Sequence, residues 1–468
     1  MTNDYRTGFN SVAAEVPEPV GLSVQGELPD WLAGGVLRTG PAQFEVGDRA
    51  VNHWFDGLAL LDRFTIGGGR VTYSSRMLES GAYRRADQGG EIGYTEFGTD
   101  PCRSLFKRIA TGFFPKPTDN ANVNVTRLGE RWIAMTETPL QIEFDPETLE
   151  TVGVVDYGDQ RSEHAGTAHP HHDSSRGELV SFTMGYGRRS KYEVYRLPDG
   201  ERERRTFGKR ATSEPSYMHS FALTERFAVL FEQPLRVNPL KLLLSGRPFI
   251  ENFKWKPKLG TRFLVFDRDG GGFRGAYAGE PLFTFHQVNA FERDGEVVVD
   301  LCAYDNAGIV ESFYLDRLRA GETPPHSKLR RFRIPLDGDE AVREHELPEE
   351  LELPRVNYRR CAGREYRYAW GAGHTGPDAP WFDALTKLDV TDGSVRKWSE
   401  DGCHPGEPVF VPAPDARSED DGVILSVVLD APRELSFLLV LDAASLGELG
   451  RAEAPMRLPF GFHAQYAH

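Results

Sequence analysis

Short apolar segments separated by turn signals are the feature of this chain that most limits its possible folds. They recur from Leu37 onward, and residues that favour tight turns separate one segment from the next. The turn signals lie at residues 67–69, 128–130, 269–272, 293–295, 391–393 and 420–422. Recurring short strands joined by hairpins predict a sandwich, a barrel or a propeller. The sequence shows no fixed-period repeat, so periodicity alone does not identify a propeller.

Length and composition favour one large β unit over several smaller domains. A chain of 468 residues suggests two or three ordinary domains, unless it belongs to the all-β classes that grow as a single unit. Its 48 glycines and 31 prolines are spread along the chain instead of marking a linker, and no long helical pattern is present. Residues 1–20 are predicted to form a loose N-terminal arm.

Charge and cysteine usage argue against several classes of protein. The formal net charge of -15 would repel a polyphosphate, so nucleic acid is not an expected partner. The four cysteines include no C-x-x-C pair, and neither a disulfide framework nor a thiolate zinc site is indicated. Residues 1–20 lack the apolar core of a signal peptide, and no run of about eighteen apolar residues occurs. We expect a cytoplasmic protein that does not span a membrane and has no obligate protein partner.

Two segments combine apolar and basic side chains on this acidic chain. Residues 101–118 contain no acidic residue, and residues 235–260 contain six Lys or Arg against one acid, Glu251. Such segments are typical of a protein face that rests on a membrane surface, where apolar side chains insert and cations meet anionic headgroups. The alternative is a helix and a loop that pack on the body of the protein with their charges in solvent.

Several familiar motifs are absent or do not fit. Residues 371–376 match G-x-G-x-x-G, but Pro377 and Pro380 follow at once, which argues against a phosphate-binding helix. We predict a glycine-rich turn there. The chain contains no G-x-S-x-G elbow, no H-E-x-x-H motif and no P-loop, so serine hydrolases, zincins and NTPases lack their signatures here.

Four of the thirteen histidines stand at or beside short apolar or aromatic segments. They are His169, His219, His286 and His463. An imidazole in apolar surroundings is either a neutral, hydrogen-bonded core group or a metal ligand, and four together favour a metal. Metal-bound histidines usually donate their second N–H to a carboxylate, and three glutamates stand in apolar settings. These are Glu137, Glu352 and Glu407, each of which has the alternative of an exposed acid at a strand end.

Many separated stretches of the chain resemble the carotenoid cleavage oxygenases. The resemblance is greatest to the animal-type branch that contains the retinoid isomerohydrolase of the retinal pigment epithelium and the β-carotene oxygenases. The matching stretches are residues 37–41, 44–47, 53–57, 95–98, 100–102, 118–120, 143–150, 167–170, 219–224, 285–286, 289–292, 351–358 and 460–463. Agreement at so many chemically specific places extends along nearly the whole chain.

The resemblance implies a fold and a metal site. It implies an all-β, seven-bladed β-propeller over residues 21–468, capped by loops and short helices, with one non-haem Fe(II) on its axis. The family's iron ligands correspond to His169, His219, His286 and His463, and its supporting carboxylates to Glu137, Glu352 and Glu407. His171 and His172 then have no role at the metal. The segments 101–118 and 235–260 correspond to the part of the family that enters the membrane and surrounds the tunnel mouth.

The implied activity is oxidative cleavage of a conjugated double bond in a carotenoid or apocarotenoid, with O2 as cosubstrate and aldehydes, including retinal, as products. Four neutral imidazoles can hold Fe(II) and leave two adjacent positions open. Three alternatives stay open from the sequence. They are a retinoid isomerohydrolase, a stilbene-type double-bond dioxygenase, and a non-catalytic propeller that binds a partner or a pigment.

Overall fold

Antiparallel hairpins account for most of the regular structure of this protein. The structure is a computed structural model that describes residues 4–100, 117–159, 163–337 and 341–468. Within these residues, seven sheets of four to six strands form the blades of a β-propeller. The predicted all-β, seven-bladed fold is confirmed.

The first four blades follow one another along the chain. Blade 1 contains β1 (Val16–Gly21), β3 (Gly34–Gln43), β6 (Leu58–Gly67), β7 (Arg70–Met77) and β36 (Ala464–Ala467). Blade 2 contains β8 (Asn124–Leu128), β9 (Arg131–Met135), β10 (Ile142–Phe144) and β11 (Thr151–Val154). Blade 3 contains β12 (Ala165–Gly166), β13 (His171–Asp173), β14 (Glu178–Gly185), β15 (Ser190–Pro198) and β16 (Arg205–Thr212). Blade 4 contains β17 (Phe221–Leu223), β18 (Phe227–Glu232), β21 (Thr261–Asp267) and β22 (Gly272–Gly279).

The last three blades complete the ring. Blade 5 contains β23 (Phe283–Arg293), β24 (Glu296–Tyr304), β25 (Lys328–Pro335) and β26 (Arg343–Glu346). Blade 6 contains β27 (Leu351–Arg355), β28 (Tyr368–Gly373), β29 (Ala384–Asp389) and β30 (Val395–Trp398). Blade 7 contains β2 (Val24–Gly26), β31 (Cys403–Pro405), β32 (Val409–Pro412), β33 (Gly422–Asp430), β34 (Leu435–Asp442) and β35 (Glu448–Glu453).

Two short ribbons and several short helices lie outside the blades. The ribbons pair β4 (Glu45–Val46) with β5 (Arg49–Ala50), and β19 (Leu235–Val237) with β20 (Phe253–Trp255). The α-helices of the described residues are α1 (Gly81–Gly89), α2 (Pro239–Leu244), α3 (Gly308–Ser312), α4 (Leu315–Ala320) and α5 (Tyr358–Cys361). Short 3-10 helices span Tyr5–Phe9, Trp54–Asp56, Ile250–Asn252 and Pro257–Leu259. In the described part of the chain, no helix combines the length and the apolar character needed to cross a membrane.

The predicted turns lie where the hairpins reverse. The glycine signals at 67–69, 128–130 and 293–295 join β6 to β7, β8 to β9, and β23 to β24. Gly295 has a φ of 80°, a conformation that other residues adopt only at a steric cost. Local turn chemistry therefore predicted these chain reversals correctly.

The predicted glycine-rich turn at residues 371–376 is wrong for its first half, because Gly371 and Gly373 belong to β28. A Cβ atom on Gly371 would lie 2.8 Å from the backbone oxygen of Glu352. A glycine is needed at residue 371 because β28 approaches the preceding strand, β27, very closely, and this packing is not visible in the local sequence motif.

The two ends of the chain close the ring. The last strand, β36, pairs with β3 in blade 1, from Gly35↔Ala467 to Arg38↔Ala464. Near the other end, β2 pairs with β35 as the outermost strand of blade 7. The predicted loose arm also packs on the propeller, since Tyr5 and Phe9 are buried and β1 pairs with β7.

Hydrophobic clusters fill the spaces between neighbouring blades. Between blades 4 and 5, for example, Val229 and Val265 share a buried cluster with Val297 and Phe332. Burial differs between the two ends of a blade: in blade 5, β23 is buried over most of its length, whereas β26 at the other end of the sheet is exposed throughout. The buried strand at one end of each sheet therefore faces the inside of the ring, where side chains from many blades can meet.

Candidate metal centre

The four histidines singled out in the sequence come from four different blades. His169 follows β12 of blade 3 and His219 precedes β17 of blade 4. His286 lies within β23 of blade 5, and His463 immediately precedes β36 of blade 1. All four positions lie in or next to a strand at one end of its sheet. We refer to these residues as the four-histidine cluster.

Local hydrogen bonds and backbone irregularities aim these rings at one another. The Thr167 hydroxyl accepts a hydrogen bond from His169 N and donates one to the carbonyl oxygen of His219, which joins blades 3 and 4. Strand β23 changes register between Thr284 and Gln287, on either side of His286. A register change of this kind redirects a side chain out of the regular alternation of a strand.

The cluster is tight enough to hold one ion. The Nε2 atoms of His169 and His219 lie 2.7 Å apart, and those of His286 and His463 lie 3.1 Å apart. One ligand atom from each of the four rings lies within 4.8 Å of the other three. His171 and His172 do not take part, because their Nε2 atoms bind the backbone oxygen of residue 221 and the carboxylate of residue 199.

Three of the four rings are oriented by the three glutamates named above, which we call the supporting glutamates. The Nδ1–H groups donate to a carboxylate oxygen in three pairs at 2.5, 2.6 and 2.8 Å: His219 to Glu137, His286 to Glu352, and His463 to Glu407. A carboxylate can only accept, so the ring hydrogen is on Nδ1 and the lone pair is on Nε2. Among the described residues, no carboxylate contacts the ring of His169.

This arrangement of protons fits a metal ion. In the 3.1 Å pair, both Nε2 atoms carry lone pairs that face each other, because both Nδ1 atoms donate to glutamates. Facing lone pairs repel, and a cation between them removes the repulsion. Neutral imidazole nitrogens suit a divalent transition metal such as iron, zinc or copper.

The electrostatics favour the neutral form of His169, His219 and His463. Burial lowers the pKa of His169 well below its ordinary value, and the neighbouring imidazoles lower it further. Burial also lowers the pKa of His219 and His463, although the paired glutamates counteract this effect. Burial raises the pKa of Glu407, but the guanidinium of Arg355 and the His463 ring outweigh it and bring that pKa to about 2. Metal binding requires neutral imidazole, so the protein holds the correct form.

Each supporting glutamate has a further polar partner that sequence reasoning missed. The donors are the hydroxyls of Tyr217 and Tyr304 and the guanidinium of Arg355, at 3.0, 2.9 and 2.8 Å from Glu137, Glu352 and Glu407 respectively. Tyr217 stands two residues before His219, and Arg355 stands three residues after Glu352. The positions of Tyr217 and Arg355 close to predicted site residues can be seen in the sequence, but only the folded chain shows that these groups bind the carboxylates.

A cavity of about 470 Å³ adjoins the cluster and is lined by His219, His286 and His463. Its wall is rich in aromatic side chains, namely Trp54, Phe55, Phe97, Phe249, Phe285, Phe313, Phe382 and Phe462. The rings pack against each other; the Phe55 centroid, for example, lies 5.1 Å from those of Phe97 and Phe462. An apolar, aromatic cavity of this kind suits an extended hydrophobic ligand.

One of the two predicted membrane segments borders this cavity. Leu242, Arg247 and Phe249 from the segment 235–260 belong to its lining. Pro117 and Thr118, at the end of the segment 101–118, line it as well. Residues 101–116 lie outside the described residues, so the structure describes the segment 235–260 and only the last two residues of the segment 101–118.

The fold and the site together define a class of protein, a seven-bladed propeller with a histidine cluster on its axis and an aromatic cavity beside it. Comparisons with known proteins agree. Residues 9–468 match the family described as "Retinal pigment epithelial membrane protein". The chain is 38% identical to the mitochondrial carotenoid-cleaving dioxygenase of Mustela putorius furo, over 97% of this chain and 94% of that protein. It is 35% identical to the β,β-carotene 15,15'-dioxygenase of Gallus gallus, over 98% of each.

Solved structures show the same relationship. An ACO/RPE65 chimera superposes with a TM-score of 0.88 at 26% identity, over 99% of this chain and 98% of the other. Cobalt-substituted Synechocystis ACO superposes with a TM-score of 0.87 at 25% identity, with the same coverage. The chain belongs to the family of the retinal pigment epithelial membrane protein, the carotenoid oxygenases.

Proposed function

We propose that this protein is an Fe(II)-dependent dioxygenase that cleaves one conjugated double bond of a carotenoid or apocarotenoid to two aldehydes. The convergence of four Nε2 atoms beside an aromatic cavity is the observation that carries the proposal. Family membership supports it, because the relatives described above are named as dioxygenases that act on carotenoids. Retinal is the product where the cleaved bond is the central one of a carotene.

Within this proposal, the four-histidine cluster holds a single Fe(II) through its Nε2 atoms. Bound iron supplies the redox-active centre at which O2 is activated. The supporting glutamates keep the Nδ1 hydrogens in place and thereby hold the rings in the tautomer that ligation requires. Since none of the four imidazoles carries a negative charge, the protein contributes no anion to the metal itself.

The cavity wall has a separate task in this mechanism. Aromatic side chains bind an extended polyene by its apolar surface, exclude water, and place one double bond next to the metal. Phe285 and Phe462 occupy positions directly next to His286 and His463 in the sequence, and both line the cavity. The shape of the cavity between these rings therefore sets which double bond is cleaved.

We further propose that the segment 235–260 rests on a membrane surface and admits the substrate from the lipid. Leu240 and Leu259 are 53% and 50% exposed, although both are large apolar side chains. The basic residues Lys241 and Lys258 are exposed beside them. Apolar tips flanked by cations are the composition of an interfacial contact. The cytoplasmic location stays a prediction; the carotenoid-cleaving relative described above is named as mitochondrial.

The test is incubation of the iron-loaded protein with carotenoids and apocarotenals under isotopically labelled O2. We expect two aldehyde fragments from one substrate, each carrying one labelled oxygen when the aldehydes are reduced to alcohols before they exchange with water. Absence of any aldehyde from the panel, with iron and O2 present, would refute the proposal. A parallel anaerobic reaction with a retinyl ester tests the isomerohydrolase alternative, for which turnover without O2 is required.

A further inference from the structure

A buried carboxyl group lies in the cavity wall away from the four-histidine cluster. Glu96 lines the cavity and is 6% exposed. Its backbone oxygen accepts a hydrogen bond from Phe249 N at 3.3 Å, which places it beside the segment 235–260. Burial of a carboxyl group in an aromatic wall is costly unless the group is neutral and hydrogen-bonded.

The hydrogen bonds of Glu96 leave one of its oxygens unused. The Thr118 hydroxyl accepts a hydrogen bond from Asn120 N at 3.1 Å and donates its single hydrogen to Glu96 Oε1 at 2.9 Å. Among the described residues the Thr118 hydroxyl hydrogen has no other acceptor, so Glu96 Oε1 accepts it. Across residues 4–100, 117–159, 163–337 and 341–468, no group hydrogen-bonds to Oε2 of Glu96.

The surroundings also determine which form of the carboxyl group is present. Burial raises the pKa of Glu96 well above its ordinary value, and the nearby carboxyl groups of Asp56 and Asp119 raise it further, against a smaller lowering by Thr118. The raised pKa favours the neutral carboxylic acid, which carries one hydrogen. Because Oε1 receives the Thr118 hydrogen, the acid hydrogen is on Oε2, where none of the described residues accepts it.

Two other polar groups of the wall, Asp56 and Asn122, are hydrogen-bonded within the protein. Asp56 accepts hydrogen bonds from Gly98 N and from the Thr99 hydroxyl. Asn122 donates its side-chain hydrogens to the backbone oxygens of Phe55 and Gly57. Glu96 differs from these groups, because its Oε2 has no hydrogen-bond partner among the described residues and can bind a ligand in the cavity.

We propose that Glu96 donates a hydrogen bond from Oε2 to an oxygen atom at one end of the bound polyene, and that the site thereby selects oxygenated carotenoids or apocarotenoids over hydrocarbons. The oxygen is a hydroxyl or keto group on the end ring or the carbonyl of an apocarotenal, all of which accept a hydrogen bond. This inference rests on the proposed function and names its substrate class. A hydrocarbon end would leave the buried donor without a partner, which weakens binding.

The test measures binding without turnover. Quenching of the protein's tryptophan fluorescence, with Trp54 in the cavity wall, reports anaerobic binding of β-carotene, of its ring-hydroxylated and ring-keto derivatives, and of an apocarotenal with an unsubstituted ring. For the wild type we expect Kd about 10-fold lower for at least one oxygenated probe than for β-carotene. The two kinds of oxygenated probe distinguish a ring oxygen from a chain-end carbonyl.

Two variants separate a recognition role from a structural one. Glu96→Leu removes the donor, so the preference should disappear while β-carotene binding is kept; Glu96→Gln keeps a donor in nearly the same place and should keep most of the preference. The same preference in Glu96→Leu as in the wild type would overturn the proposal. If Glu96→Leu does not fold, the wild-type protein still tests the proposal, because equal wild-type affinity for all probes would also overturn it.

The outcome is independent of catalysis. Aldehyde formation under O2 is measured separately on the same probes. A protein that binds with the expected preference but cleaves nothing would refute the proposed function and leave Glu96 as a recognition residue. A protein that cleaves these probes but binds β-carotene and its oxygenated derivatives with equal affinity would support the proposed function and refute the role of Glu96.

Discussion

At the scale of single residues, the pairing of a histidine with a buried glutamate determines the chemistry of the centre. The carboxylate accepts a hydrogen bond from Nδ1–H, and the lone pair on Nε2 therefore faces the other rings. The glutamates are held in turn by Tyr217, Tyr304 and Arg355. The three rings that bind a glutamate are therefore each oriented by two successive hydrogen bonds. No carboxylate of the described residues supports His169, whose backbone N donates a hydrogen bond to the Thr167 hydroxyl.

The ligand assignment predicts a sharp difference between two histidines. His286→Ala removes one Nε2 donor and leaves Glu352 without its ring partner, so we expect Fe(II) affinity to fall by about 100-fold or more. His172→Ala is the matched control, because this exposed ring binds only Asp199 on the surface. Iron content after dialysis against a weak chelator measures the effect. Equal iron content in the two variants would contradict the assignment of His286.

At the scale of elements, irregular segments do most of the positioning. The register change in β23 directs His286 towards the axis, and Leu353, next to Glu352 in β27, has a φ of 51°. Such a backbone conformation is rare for a branched side chain and persists only where the surrounding structure imposes it. Regular strands supply the scaffold, and their departures from regularity place the groups that meet on the axis.

Helix α2 is the element on which membrane contact can be tested. Leu240→Asp places a charge on its exposed apolar tip, and we expect binding to anionic liposomes to weaken by about 30-fold, because burial of a leucine side chain contributes about 2 kcal/mol. Val152→Asp is the control, since Val152 is 66% exposed on β11 of blade 2, in a strand outside both predicted segments. Liposome sedimentation provides the measurement. Equal losses for both variants would argue against a membrane role for α2.

At the scale of the whole molecule, closure of the ring joins distant parts of the chain into one site. Blade 1 contains both the early strand β3 and the last strand β36, and His463 stands at the start of that last strand. Glu137 of blade 2 reaches His219 of blade 4, and Glu407 of blade 7 reaches His463 of blade 1. The metal site therefore exists only when all seven blades are assembled.

Closure predicts that the C-terminal strand supports both stability and metal binding. Deletion of residues 464–468 removes β36, exposes the edge of β3, and frees the backbone beside His463, so we expect Tm to fall by about 10 °C and iron binding to be lost together. Deletion of His468 alone is the control, because this residue lies beyond the strand. Differential scanning calorimetry with metal analysis checks both effects. A truncated protein with unchanged Tm would show that the ring is stable without this strand.

The sequence by itself determined the local structure and much of the chemistry. Turn glycines and short apolar segments predicted the hairpins, and the resemblance to the carotenoid cleavage oxygenases indicated the propeller, the four histidines and the supporting glutamates. Where sequence reasoning was wrong, a tertiary contact was responsible. Gly371 lies in a strand because β27 approaches it closely, and Tyr5 and Phe9 are buried because the body of the propeller offers them a surface.

Only the tertiary structure decided which glutamate binds which histidine, which groups hold the glutamates, and that the carboxyl group of Glu96 lies in the cavity wall. These relations join residues that are tens to hundreds of positions apart. Turn and strand signals act over a few residues and carry no information about which blades face each other across the axis. Closure of the ring sets those distances, and with them the tautomers, the neutral imidazoles and the shape of the cavity.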